Sequence, residues 1–136
     1  MRNTKQETPL HRAAWEGHEE VTRLLIQNKA EVDVKGDYDQ TPLHYASIYG
    51  REKISETLLQ NKANPNSRDS NQNTPLHTAA YWGYPKVVEV LFNHGVDKTL
   101  KNNDNETALQ VAQNKKSFSY RENDFNSVIS LLEEQN

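Results

Sequence analysis

One tetrapeptide recurs at a fixed stride. Thr-Pro-Leu-His stands at residues 8–11, 41–44 and 74–77, and a weakened copy, Thr-Ala-Leu-Gln, at 107–110, so the interval is 33 residues each time. Self-similarity at a period of roughly 20–50 residues marks a solenoid, in which each supersecondary unit buries its apolar face only against its neighbours. Stacked at this period, the chain reads as a single repeat domain with units of about 4–36, 37–69, 70–102 and 103–136. Ala13, Ala46 and Ala79 coincide, as do Gly17, Gly50 and Gly83, and then Leu25, Leu58 and Leu91.

Each shared position has a local reason. Thr before Pro supplies an N-cap followed by the residue favoured at the first helical position, where a missing amide costs nothing. Leu10, Leu43 and Leu76 then fall on the inner face of a short first helix, beside alanines small enough for close helix approach. Gly17, Gly50 and Gly83 sit where that helix must stop in a left-handed conformation. A second helix is predicted to bury Val21, Leu24 and Leu25; Ile54, Leu58 and Leu59; and Val87, Leu91 and Phe92, at helical spacing. Pro85 suits the first turn of its helix. The stretches EVDVKGDYDQ and NPNSRDSNQN are rich in turn formers and read as polar hairpins.

This pattern resembles the ankyrin-repeat family over essentially the whole chain, with the T-P-L-H-x-A-A-x-x-G core nearly intact in three units. The resemblance implies an all-α repeat solenoid of helix–loop–helix units joined by β-hairpin-like loops. It also implies structural roles for His11, His44 and His77, which would bond to the backbone of neighbouring turns. The departures are informative. The family's glycine two residues before the threonine is replaced by Gln6, Asp39, Gln72 and Asn105, and the glycine after the second helix survives only as Gly95, with Lys29 and Lys62 in the matching slots. Holding an L-residue there at positive φ costs up to roughly 1–2 kcal/mol. The first unit has only seven residues before Thr8 and so lacks a complete hairpin in front of it. The fourth lacks the Pro and the His, carries Lys116 in the glycine slot, and holds about seven extra residues around 116–125. That insertion, with Phe118, Tyr120 and Phe125, reads as a tolerated extension whose aromatics cover the end of the stack, against a second contact or a phosphorylated loop.

Composition narrows the function. Hydrophobic residues make up 34% and mean hydropathy is −0.98, which a thin, elongated fold explains; two Trp, six Tyr and the periodic apolar positions argue against disorder. Sixteen basic and 19 acidic residues are interspersed, without a basic run to follow a phosphate backbone, so duplex nucleic acid is not an expected partner. No apolar stretch approaches membrane-spanning length, and Met1 is followed by polar residues, not a signal sequence. Absence of cysteine excludes disulfides, thiolate metal sites and Cys nucleophiles, and suggests an intracellular, cytoplasmic or nuclear setting. The histidines show no metal-ligand spacing, the five glycines make no nucleotide loop, and the many Ser and Thr have no evident base. The expectation is therefore a monomeric, non-enzymatic chain without cofactor or metal, binding another protein.

In the ankyrin family, ligands are typically gripped by the exposed face of the first helices and by the hairpin tips. Carried over position by position, the resemblance implies helical contacts at Trp15 and Glu16, Ile48 and Tyr49, Tyr81 and Trp82, and Asn114 and Lys115. The tips map to Asp37, Tyr38 and Gln40; Ser70, Asn71 and Asn73; and Asn103, Asp104 and Glu106. Aromatic residues carry interface energy at little entropic cost, so the Trp/Tyr stripe is the expected contact, and the acidic tips favour a partner segment containing Lys or Arg. Trp15, Ile48 and Tyr81 are equally open to packing between repeats, and Tyr45 reads as packing. Two alternatives stand beside the protein-binding reading: a reader of a small ligand or methylated lysine, using Trp15, Tyr49, Tyr81 and Trp82 with a carboxylate such as Glu16, and a self-assembling scaffold unit.

Overall fold

Each Thr-Pro-Leu-His opens a helix at its proline. The structure, a computed structural model, describes residues 6–116 and 121–134. The first helices of the units are α1 (Pro9–Glu16), α3 (Pro42–Ile48), α5 (Pro75–Trp82) and α7 (Ala108–Lys116). The second helices are α2 (Glu19–Gln27), α4 (Glu52–Gln60), α6 (Pro85–Asn93) and α8 (Glu122–Glu134). First helices pack on first helices and second on second, giving two rows with the core between them. Leu10, Leu43, Leu76, Leu58, Leu91, Ala46 and Ala79 fill that core and are almost wholly shielded from solvent. Among the described residues there is no strand. The links between units are hairpin-like turns, closed by Gly36 N–H to Gln40 O, Asp69 N–H to Asn73 O and Asn102 N–H to Glu106 O at 2.8–3.0 Å.

The histidines explain why the tetrapeptide is repeated. Thr8, Thr41 and Thr74 cap α1, α3 and α5 through their hydroxyls, and each threonine N–H donates to the Nδ1 of the histidine three residues on, at 3.1–3.2 Å. This is a capping box with imidazole in the acceptor role. Because Nδ1 accepts, Nε2 holds the proton and donates to the next unit: His11 to Gln40 O at 2.8 Å, His44 to Asn73 O at 2.9 Å, His77 to Glu106 O at 2.8 Å. Burial disfavours the charged ring and pushes the pKa of His44 and His77 down. In the fourth unit Gln110 Oε1 takes the Thr107 N–H at 2.8 Å, keeping only the backward half of the device.

The left-handed positions fall where the pattern put them. Gly17, Gly50 and Gly83 have φ of 84°, 68° and 74°; Lys29 and Lys62 stand at 69° and 72°, and Gly95 at 79°. Gln6, Asp39, Gln72 and Asn105 also lie between 58° and 64°.

Two expectations are corrected. Val21 and Leu24 are not core residues but 46% and 48% exposed, because no described helix covers α2 as α2 covers α4. The segment 116–125 is not one loop: Lys116 ends α7, and Glu122–Phe125 form the first turn of α8, which at 13 residues is longer than the nine-residue α6. Phe125 is 2% exposed and seated against Gly83, where a Cβ would lie 2.9 Å from its ring. Phe118 and Tyr120 lie outside the described residues.

Candidate functional site

The last turns of α1, α3 and α5 end against the next unit, and this fixes their aromatic side chains. Arg51 donates through Nε and Nη2 to Trp15 O, both at 3.2 Å, and its guanidinium fills the space beside Gly17. The Tyr84 ring fills the same space beside Gly50. Arg121 donates to Trp82 O and Gly83 O at 2.8 Å while lying 4.6 Å from the centre of the Tyr84 ring. Each glycine is therefore required twice, for its backbone conformation and for the neighbour seated on it. Sequence reasoning found the first requirement only; the signal for the second was a large side chain directly after the glycine slot, at Arg51 and Tyr84, whereas on Gly83 the seat is taken by Phe125 of the fourth unit, where the period is broken.

The turns are held opposite these helix ends. Besides the histidine bonds, Ser70 N–H donates to Tyr38 O at 2.9 Å and Asn103 N–H to Asn71 O at 3.0 Å, so successive tips are joined by backbone. Asp69 Oδ1 accepts the Asn71 and Asn73 amides at 2.9 Å, and Asn102 Oδ1 the Asp104 and Glu106 amides at 3.0 Å. Gly36 occupies the equivalent place in the first turn and has no side chain to do this. That turn instead winds through Tyr38 and Asp39, at φ 55° and 58°. A Cβ at Gly36 would lie 3.0 Å from His11 Nε2, which accounts for the glycine.

Between tips and helix ends lie two neighbouring hollows that share Gln40 and Ile48. The larger, ≈ 390 Å³, brings together Asn71, Asn73, Tyr81, Trp82, Asp104, Glu106, Asn114 and Lys115 of the expected contacts, and adds Asp69, His77, Thr78, Asn102 and Val111. The smaller, ≈ 220 Å³, brings together Trp15, Asp37, Tyr38 and Tyr49, and adds Glu7 and Tyr45. Three expected residues line neither. Glu16 is engaged by Arg12 at 3.3 Å and His18 at 3.4 Å, and Ser70 and Asn103 use their amides in the tip-to-tip bonds. Glu7 stands one period before Gln40, Asn73 and Glu106, so the repeat marked it as a tip position; it was missed because the first unit has no complete hairpin in front of it and the position was not carried back.

The aromatic rings stand in pairs. Trp15 and Tyr49 are 6.1 Å apart, centre to centre, with planes inclined at 32°; Tyr81 and Trp82 are 5.1 Å apart and edge-on. Lys115 Nζ lies 4.3 Å from the centre of the Tyr81 ring, and Asn114 Nδ2 donates to Glu106 Oε2 at 2.7 Å. Tyr45, only 6% exposed, donates to Glu7 Oε2 at 2.5 Å; burial and that carboxylate both push its phenol pKa well upward. Tyr45 is a packing residue, as its place beside His44 suggested.

Among the described residues no group of three His, Asp or Glu has a metal-binding arrangement, and no helix is long and apolar enough to cross a membrane. The family model for ankyrin repeats (3 copies) matches residues 1–69, 31–102 and 63–133. No curated protein matches the chain.

Proposed function

The chain belongs to the ankyrin-repeat family, whose members are generally protein–protein interaction modules and typically not enzymes, and from that premise we propose that it grips a segment of another protein along the two joined hollows. One observation carries the reading. Of the seven large hydrophobic side chains left exposed among the described residues, five (Trp15, Tyr38, Tyr49, Tyr81 and Trp82) line the hollows, at 37–69% exposure. Aromatic rings kept in water on one concave face are the residues whose burial by a partner returns most free energy for least lost freedom. The tips opposite them supply carboxylates and amides for orientation.

An extended segment suits this surface better than a single modified residue held by all four rings. The rings are divided between two hollows, and Lys115 already covers Tyr81. Glu16, the carboxylate such a cage was expected to use, is turned to Arg12 and His18.

The test is affinity capture from cell extract with the wild type and a Tyr49→Ala/Trp82→Ala variant of unchanged melting temperature. A protein held by the wild type and lost by the variant supports the groove. Identical captures from both sink it.

A further inference from the structure

The smaller hollow is built for one kind of side chain. At ≈ 220 Å³ it falls below the roughly 300–1,000 Å³ of cavities that enclose whole small molecules, so it is of a size to hold one side chain. Its walls are the Trp15–Tyr49 pair, Tyr38 and Tyr45, together with the carboxylates of Glu7 and Asp37. Aromatic faces attract cations, and carboxylates beside them attract donors as well as charge. No Lys or Arg among the described residues lines this hollow.

We propose that this hollow is a guanidinium subsite, taking an arginine side chain of the partner segment, flat against the Trp15–Tyr49 pair and forked onto Asp37 and Glu7. The inference rests on the groove reading above and names the chemistry of one position within it. Two observations favour a planar cation over an ammonium. The Trp15 and Tyr49 ring centres are only 6.1 Å apart with planes inclined at 32°, which leaves no gap for a cation between them; it must lie against an outer ring face, where a flat group makes more contact than a round one. The chain itself uses guanidinium this way: Arg121 lies over the Tyr84 ring while its nitrogens donate to Trp82 O, Gly83 O and Asp124. Tyr38, 69% exposed, is held at the rim in a left-handed backbone, a strained state that a binding role accounts for. Tyr45 fixes the Glu7 carboxylate by donating to it, so one wall of the fork is positioned before the ligand arrives.

The protein offers a built-in comparison, because its two Trp residues divide between the hollows: Trp15 in the smaller and Trp82 in the larger. In the ¹⁵N-labelled 136-residue chain, the two indole N–H signals are followed during titration with N-acetyl-arginine N-methylamide. Matching titrations use the citrulline, lysine and trimethyllysine analogues. The expected result is a saturable shift of the Trp15 signal by the arginine compound in the millimolar range, with the Trp82 signal unmoved. Binding should fall by about tenfold or more with citrulline, which keeps the shape and loses the charge. Asp37→Asn should weaken arginine binding by about fivefold without altering the dispersed spectrum. Equal shifts with citrulline, or tighter binding of lysine or trimethyllysine than of arginine, overturn the assignment. A Trp15 signal that does not move, combined with partner capture that still depends on Tyr49 and Trp82, removes the guanidinium subsite and leaves the groove. Capture indifferent to both rings removes the groove itself.

Discussion

Replacing Lys29 and Lys62 together by glycine will stabilise this protein. Both lysines occupy the left-handed residue that ends a second helix, at φ 69° and 72°, the slot that Gly95 fills at 79°. The surrounding bonds are the same in each case: Ala30 N–H reaches back to Leu25 O, Ala63 to Leu58 O and Val96 to Leu91 O, at 3.0, 3.0 and 3.3 Å. The lysine side chains are exposed, so truncating them uncovers no core. Relief of left-handed strain is worth roughly 1–2 kcal/mol per site, and the extra freedom of glycine in the unfolded chain takes back about 0.5–1. The net gain is about 0.5–1 kcal/mol per site, or about 1–2 for the pair, raising Tm by about 3–8 °C for a chain of this size. Calorimetry or circular dichroism melts measure it directly. The reverse change is the control: beside Gly95 nothing lies within 4 Å of where a Cβ would stand, so Gly95→Lys adds strain without a clash and will lower Tm by a similar step. A double variant melting at or below the wild type, with Gly95→Lys unchanged, would refute the strain argument.

Acidification will destabilise the fold through His44 and His77, whose folded-state pKa burial holds below the ordinary histidine value of about 6.5. Their contribution is complete above that value and is lost as pH falls, because the unfolded chain then binds protons the folded one refuses. Between pH 7.5 and 5.5 the loss is at most about 1.4 kcal/mol per ring, read as a falling urea midpoint; a flat profile refutes it. Gly50→Ala will cost about 2–4 kcal/mol, since its Cβ would stand 2.7 Å from the Tyr84 ring at φ 68°, whereas Gly95→Ala will cost only the strain; equal melting shifts would contradict the seat. Arg121→Ala gives up the bonds to Trp82 O and Gly83 O and will cost about 1.5–3 kcal/mol. Hydrogen exchange should then rise in α7 and α8 before α1, and uniform loss of protection would count against this local role.

Sequence reasoning reached the parts of this molecule that depend on one unit at a time. The caps, the helix-ending glycines, the lysines at positive φ and the inner leucines all follow from local geometry, and a period of 33 multiplies each signal. What it could not reach depends on the neighbour. Val21 and Ile54 occupy the same position in their repeats, yet one is 46% exposed and the other 1%, because burial there is conferred by the adjacent unit. Phe125 was placed in a loop since the broken period hid where α8 resumes; Arg121, which bonds to the carbonyls at Trp82 and Gly83 as Arg51 does at Trp15, marks the resumption. In the candidate site the ring positions were legible and their pairing was not. Nor was the turn of Glu16 toward Arg12 and His18, an ordinary ion pair within reach of its own helix.

The bonds between units also have a direction, and direction implies an order in time. His11, His44 and His77 each donate to a carbonyl that lies 29 residues later, and Gly17, Gly50 and Gly83 each receive a side chain from the unit that follows. As the chain leaves the ribosome, each of the first three units is thus born with an unmet imidazole proton and an open glycine, and is completed only by its successor. The fourth unit ends that dependence, for Gln110 reaches backward alone. A nascent chain halted before Glu106 would carry an unfinished end at whatever length it stopped, so translation itself sets the sequence in which this solenoid becomes whole.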